Sequence, residues 1–279
     1  MSRYLRPRDL DEALRTLADG GWTVLAGGTD HYPARVTHDT GEDILDVTAL
    51  DALQGIGRTG AGLRIGAAAT WRSVIDAELP AACDGLKAAA REIGGAQIQN
   101  RGTIGGNLCN ASPAADGVPA LLSLDAEVEL VSAGGTRRLP LDRFVLGNRK
   151  TALEPGELLA AVHLPEAALD GAGRFLKLGA RRYLVISIVM VAGTMRLAAD
   201  GTIAGTRLAV GACTAAALRL GALETALVGL SPKEAADRLD DGHLAALAPI
   251  ADVRGDAPYR MDTARTLVRR CLADLAEAA

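Results

Sequence analysis

Apolar Leu10, Ala13, Leu14 and Leu17 recur at helical spacing in RDLDEALRTLADGG, and the pattern stops at Gly20-Gly21. That predicts an amphipathic helix with a glycine stop. WTVLA, which follows, is a short apolar run and reads as a buried strand. The glycine pair Gly27-Gly28 therefore falls in the turn that leaves a strand. Further short strands are predicted at DILDV and GLRIGAAAT, with helices at TWRSVIDAEL and CDGLKAAAREI. From Gly94 to Pro113 regular periodicity almost vanishes, which predicts a long irregular loop around another pair, Gly105-Gly106. Ordered loops of that length inside a domain usually serve a function.

Next come a short helix in ADGVPALLSL, an alternating strand in AEVELVSA with a hairpin turn at Gly134-Gly135, and a turn and strand in LEPGELLAAVHLP, ending at Pro165. After EAALDGAG the pattern changes. FLKLGARRY, LVISIVMVAGTMRL and AGTRLAVGACT are β-rich, with an Asp-Gly turn in AADGTI. From about Ala215 the chain reads as helical and closes on amphipathic APYRMDTARTLVRRCLADLAEA. The expected division is an α+β domain over 1–168, with two subdomains split near 57, and a smaller domain of sheet and helices over 169–279.

At 279 residues the chain has room for a substantial core in one or two domains. Aromatic residues make up 3%, too few for a base-stacking platform, and the net charge of −4 supplies no basic footprint, so nucleic acid is not an expected partner. The first residues show no apolar signal core, and the most apolar run, YLVISIVMVAGTM, is shorter than a bilayer span. A cytoplasmic protein without a membrane span is expected. Cys83, Cys109, Cys213 and Cys271 form no CxxC pair, so no zinc or iron–sulfur site is expected. All but Cys109 read as buried reduced thiols.

GIGRTG, Gly55 to Gly60, matches GxGxxG in form but leads into a strand rather than a helix, so it reads as a turn between strands. No P-loop, HExxH, Ser-His-Asp or paired-carboxylate arrangement occurs. His31, His38, His163 and His243 lack metal-ligand spacing. AGGTD and TIGGN are more informative together. Consecutive turn amides form anion-binding nests, glycine lets the backbone approach a phosphate, and Thr29, Thr103 and Asn107 add polar side chains. Two such segments suit the halves of one pyrophosphate. Asp116 reads either as a helix cap or as a carboxylate accepting from a ribose or flavin. Lys177, by pattern alone, is a solvated strand lysine.

LAGGTD, NRGTIGGNLCNASPAADGVPALLSLDAEVEL, FLKLGARRYLVISIVMVAG and DVRGDAPYRMDTARTLVRRCL closely resemble the FAD-binding medium subunit of molybdenum hydroxylases, the family of xanthine dehydrogenase and carbon monoxide dehydrogenase. The resemblance runs through nearly the whole chain. It implies a vanillyl-alcohol-oxidase (PCMH)-type FAD-binding domain followed by the smaller C-terminal domain. Carried over by position, it implies a first pyrophosphate segment of Val24, Leu25, Ala26, Gly27, Gly28, Thr29, Asp30 and His31. The second segment is Thr103, Ile104, Gly105, Gly106 and Asn107. Asp116 matches a flavin-contacting aspartate, and Ile93, Leu159 and Lys177 match positions lining the rest of the cofactor. The chain departs from the family at His31, where an aliphatic residue is usual. Tyr183 and Leu184 stand where many relatives have a small residue and an aspartate, and the cysteine-rich insertion of some members is absent.

The resemblance implies an electron-transfer flavoprotein subunit. Its partners would be a molybdopterin-binding large subunit and a [2Fe-2S] small subunit, in a dimer of heterotrimers, with NAD, oxygen or another soluble acceptor receiving the electrons. The absence of acid–base machinery fits, because a cofactor carries the chemistry while the protein binds and orients it. Two rivals remain at this level: a self-sufficient flavin oxidase or dehydrogenase, and a flavin-binding assembly subunit without turnover. The roughly hundred-residue C-terminal region is small for the capping domain that the first rival needs.

Overall fold

A computed structural model describes residues 2–35, 41–181 and 184–279; His38 and Tyr183 lie outside the described residues. Near the N-terminus a three-stranded parallel sheet places Asp43–Asp46 between Tyr4–Leu5 and Trp22–Leu25. Helix Leu10–Ala18 makes the crossover that parallel pairing requires. Asp9 caps it by accepting from the Glu12 N–H at 3.0 Å, and Ala13 and Leu14 are buried beneath it. Gly20 and Gly21, at φ of +76° and +78°, turn the chain from this helix into Trp22–Leu25. The strand is not buried throughout, as WTVLA predicted. Val24 is 39% exposed, because it lines a cleft instead of the core.

A five-stranded antiparallel sheet follows, in the order Ile56–Thr59, Gly62–Gly66, Leu158–Pro165, Glu127–Ser132, Gly135–Pro140. GIGRTG is therefore more than a turn, since Ile56–Thr59 is the first strand of a hairpin. The central strand, Leu158–Pro165, buries every residue but its last. Helices Trp71–Asp76, Asp84–Glu92 and Gly117–Leu122 join this sheet in one hydrophobic cluster containing Trp71, Leu86, Leu121 and Val162.

The predicted irregular loop from Gly94 to Pro113 is instead largely helical, with helices Ala96–Arg101 and Ile104–Asn110 separated by Gly102 and Thr103. Helices of six and seven residues complete fewer than two turns, so an apolar stripe has no length over which to repeat.

The C-terminal sheet is antiparallel, in the order Ala172–Leu178, Val189–Leu197, Ile203–Gly211, Leu218–Arg219. Strand alternation sends Met190, Ala192 and Ala209 into the first cluster, and Val191, Leu208 and Val210 into a second one. Helices Gly221–Leu227 and Ala257–Ala278 complete the second cluster. The continuous helical pattern expected from about Ala215 is corrected here. Residues 228–256 contain no α-helix, only short 3-10 turns and an isolated bridge between Asp252 and Gly255, because Gly229, Pro232, Gly242, Pro249 and Gly255 interrupt any longer helix. No helix among the described residues is long and apolar enough to cross a membrane, and no group of His, Cys, Asp or Glu among them is placed to hold a metal.

Candidate functional site

A cleft of about 560 Å³ opens where the end of strand Trp22–Leu25 meets the two short helices Ala96–Arg101 and Ile104–Asn110. The whole segment from Val24 to His31 lines it, and so do Ile93, Thr103, Gly105, Gly106, Asn107 and Leu159. Three expected site residues do not form its wall. Ile104 is fully buried in the hydrophobic core, because its place in the first turn of the helix turns its side chain inward. Asp116 and Lys177 are buried against each other, with Nζ and Oδ2 2.6 Å apart.

The first glycine segment packs against Arg101 and Gly102, the turn that leads into the second. A Cβ built on Gly27 would stand 1.9 Å from the Arg101 carbonyl oxygen and 3.0 Å from the Gly102 Cα, so only glycine allows this approach. Gly28 has φ +71°, which re-aims the chain after the strand at little steric cost. Among the described residues, the backbone N–H groups of Gly27, Gly28, Thr29, Asp30 and His31 donate to no protein acceptor. Five consecutive unpartnered amides at the rim of a cleft are what an anion-binding nest requires.

TIGGN behaves differently. Thr103 caps helix Ile104–Asn110, and its Oγ1 accepts from the Gly106 N–H at 3.0 Å. The Ile104 and Gly105 N–H groups donate to the carbonyls of Ala69 and Ala67 at 3.0 and 2.8 Å, and that of Asn107 to Thr103 at 3.0 Å. All four first-turn amides are thus occupied within the protein, which corrects the expectation that the Gly105-Gly106 amides face a phosphate. A Cβ on Gly105 would lie 2.7 Å from the Ala67 oxygen, so glycine is required there for backbone packing. What this segment offers a ligand is the Asn107 side chain, whose Oδ1 is buried without a hydrogen-bond partner.

Beside the cleft, Asp116 occupies the N-cap position of helix Gly117–Leu122 without capping it. Its carboxylate takes Lys177 on one oxygen and the Ser187 hydroxyl, at 2.5 Å, on the other. Lys177 is not the solvated lysine its pattern suggests, since its side chain is 6% exposed and its Nζ lies 3.5 Å from the Glu92 carbonyl, next to cleft-lining Ile93. Burial raises the Asp116 carboxyl above its ordinary value, while Lys177 and Ser187 pull it back.

His31 packs edge-on against Tyr32, with ring centroids 5.1 Å apart, and its carbonyl accepts from Arg35 at 3.0 Å. Partial burial, with Arg35 adding to it, holds the imidazole below its ordinary pKa, so it is neutral at pH 7. Sequence reasoning missed Ser187 and Arg149. Ser187 carries no spacing signal, and Arg149 reaches the cleft from a hairpin far along the chain.

Two family models match the chain: FAD binding domain in molybdopterin dehydrogenase over residues 1–167, and CO dehydrogenase flavoprotein C-terminal domain over residues 174–275. The xanthine dehydrogenase FAD-binding subunit of Escherichia coli O157:H7 is 32% identical, covering 99% of this chain and 96% of that protein. The carbon monoxide dehydrogenase medium chain of Hydrogenophaga pseudoflava is 30% identical, covering 96% and 95%. Among solved structures, reconstituted CO dehydrogenase from Oligotropha carboxidovorans superposes with a TM-score of 0.91 at 27% identity, covering 100% of this chain and 99% of that one. Quinoline 2-oxidoreductase from Pseudomonas putida 86 gives a TM-score of 0.87 at 25% identity, covering 99% and 97%.

Proposed function

Because this chain belongs to the FAD-binding medium subunits of the molybdenum hydroxylases, we propose that it transfers electrons within such a complex. In this reading a molybdopterin-binding large subunit oxidises the organic substrate. A small subunit with [2Fe-2S] clusters relays the electrons to this chain, which delivers them to NAD, oxygen or another soluble acceptor. Six-component assembly, as a dimer of heterotrimers, and a cytoplasmic site complete the proposal.

The cleft suits FAD. Its volume of about 560 Å³ lies within the range of cofactor pockets, with apolar Val24, Ile93 and Leu159 against polar Thr29 and Asn107. The single observation that carries the assignment is the run of unpartnered amides from Gly27 to His31, which fits a diphosphate. The orphaned Asn107 Oδ1 fits a ligand bearing hydroxyl donors, such as a ribityl or ribose group. We assign the expected FAD contacts accordingly: diphosphate to the segment from Val24 to His31, sugar hydroxyls to Asn107, and the ring region to Ile93, Leu159 and the Asp116–Lys177 pair beside it.

Bound FAD supplies the redox chemistry. The protein's part is to bind, orient and set the charge around it. Lys177 is held by Asp116 and the Glu92 carbonyl, so its ammonium is fixed close to Ile93 at the cleft wall. A fixed cation favours negative charge on a neighbouring group. The functional division is drawn at 168/169, in keeping with family models that match 1–167 and 174–275, with the FAD site built by the first unit and Lys177 contributed by the second, although the first hydrophobic cluster continues across it through Leu169, Phe175 and Met190.

The test is an absorption spectrum of the purified chain, followed by chromatography of the nucleotide released by heat. Released FAD at close to one per chain, with no iron–sulfur bands, is the expected result. A colourless chain that takes up no added FAD contradicts the site assignment.

A further inference from the structure

Arg149 lies in the turn between the short strands Val145–Gly147 and Lys150–Thr151, and from there it ties the first glycine segment to the C-terminal end of helix Ile104–Asn110. Its Nη2 donates to Asp30 Oδ2 at 3.1 Å, its Nη1 to Asn110 Oδ1 at 3.1 Å, and its backbone N–H to the Ala111 carbonyl at 3.2 Å. Its φ is +54°, a left-handed conformation that is uncommon for a residue with a side chain. The chain therefore accepts a backbone penalty at the position from which this guanidinium reaches the cleft.

The other charged side chains on the cleft wall are more firmly committed. Arg35 gives Nε and Nη2 to Glu42 at 3.1 and 2.8 Å, and Glu157 is gripped by Arg137 at 2.6 and 2.7 Å. The Arg149 and Asp30 side chains are 61% and 53% exposed, and an ion pair so exposed is weak and readily shared. Its planar fork matches phosphate oxygens.

The geometry points to Arg149 as the counter-charge of the FAD diphosphate, a clasp that closes over the nest of amides from Gly27 to His31. The inference rests on the FAD assignment above. Asp30 then is the partner from which the guanidinium is drawn to the diphosphate and, being an anion itself, adds nothing to the attraction. A mere brace between segments would need Asp30 as much as Arg149, which separates the two roles.

The experiment is a fluorescence titration of FAD into the full chain stripped of flavin, at low and high ionic strength. Arg149→Gln is expected to bind FAD about 10-fold more weakly, as for loss of one charge-assisted contact, and with a smaller salt dependence. Arg149→Lys should recover part of the loss, and Asp30→Asn should bind as tightly as the unmodified chain or more tightly. Unchanged affinity in Arg149→Gln, or an equal loss in Asp30→Asn, overturns the inference. Gly28→Ala serves as the reference: if it weakens FAD while Arg149→Gln does not, only the clasp falls. If neither matters, the FAD assignment falls with it. Because Arg149 is exposed, its variants should melt with the unmodified chain, so weak binding will not reflect misfolding.

Discussion

Two segments of this chain contain the same dipeptide at the same cleft, and the glycines serve different ends. At Gly27-Gly28 the first glycine lets the turn lie against the Arg101 carbonyl, and the second takes φ +71°. The amides from Gly27 to His31 are left without protein partners. At Gly105-Gly106 the amides are already bonded to Ala67 and to the Thr103 hydroxyl, and the missing Cβ of Gly105 makes room for Ala67. The first segment leaves its amides unspent at the cleft, and the second spends its own on packing against Ala67 and Ala69. Glycine pairs in a sequence are therefore ambiguous until the destination of each N–H is known.

That contrast is open to breakage, beginning with the largest effect. Gly27→Ala places a Cβ 1.9 Å from backbone oxygen that has no freedom to rotate away, and it should cost about 3 kcal/mol of stability together with FAD retention. Thermal melting and flavin content after gel filtration would both register it. Gly105→Ala, at 2.7 Å from the Ala67 oxygen, should cost about 2 kcal/mol, with FAD loss only in proportion to unfolding. A variant that melts normally yet sheds FAD would show that Gly105 touches the cofactor after all.

Gly28→Ala forces a side chain into φ +71° and to within 2.8 Å of the Tyr32 ring, a displaceable neighbour. A stability loss of about 1 kcal/mol is expected, with a disproportionate loss of FAD affinity because the nest is deformed. Equal losses in affinity and stability would erase the distinction from Gly105. The smallest effect concerns His31. Its folded pKa lies below the unfolded 6.5, so its contribution to stability is present above about pH 6.5 and is lost as pH falls through the folded value. His31→Asn should flatten the stability profile of the flavin-free chain below pH 6.5, measured by urea unfolding at several pH values. Superimposable profiles would remove His31 from the electrostatics of the cleft.

Much of the fold was legible because its elements are long enough to repeat their pattern. Leu10 to Leu17 marked a helix, and the alternating run at Glu127–Ser132 marked a strand with its hairpin. Helices Ala96–Arg101 and Ile104–Asn110 were missed because six or seven residues, rich in glycine and polar side chains, do not display an amphipathic period. The candidate site was legible as letters and as a resemblance to the extent that Val24 to His31 and Asn107 line one cleft. Its physics was not. Nothing in TIGGN announces that Ala67 and Ala69 occupy its amides, nothing around Lys177 announces burial against Asp116 and Ser187, and Arg149 meets Asp30 across 119 residues of chain.

The most direct measurement is amide hydrogen exchange by mass spectrometry, with and without FAD, resolved to peptides covering residues 24–32 and 103–108. The amides from Gly27 to His31 have no protein acceptor, so FAD should slow their exchange strongly, while those of Ile104 to Asn107, already bonded, should change little. Protection confined to residues 103–108, with residues 24–32 exchanging as fast with FAD as without it, would contradict the account.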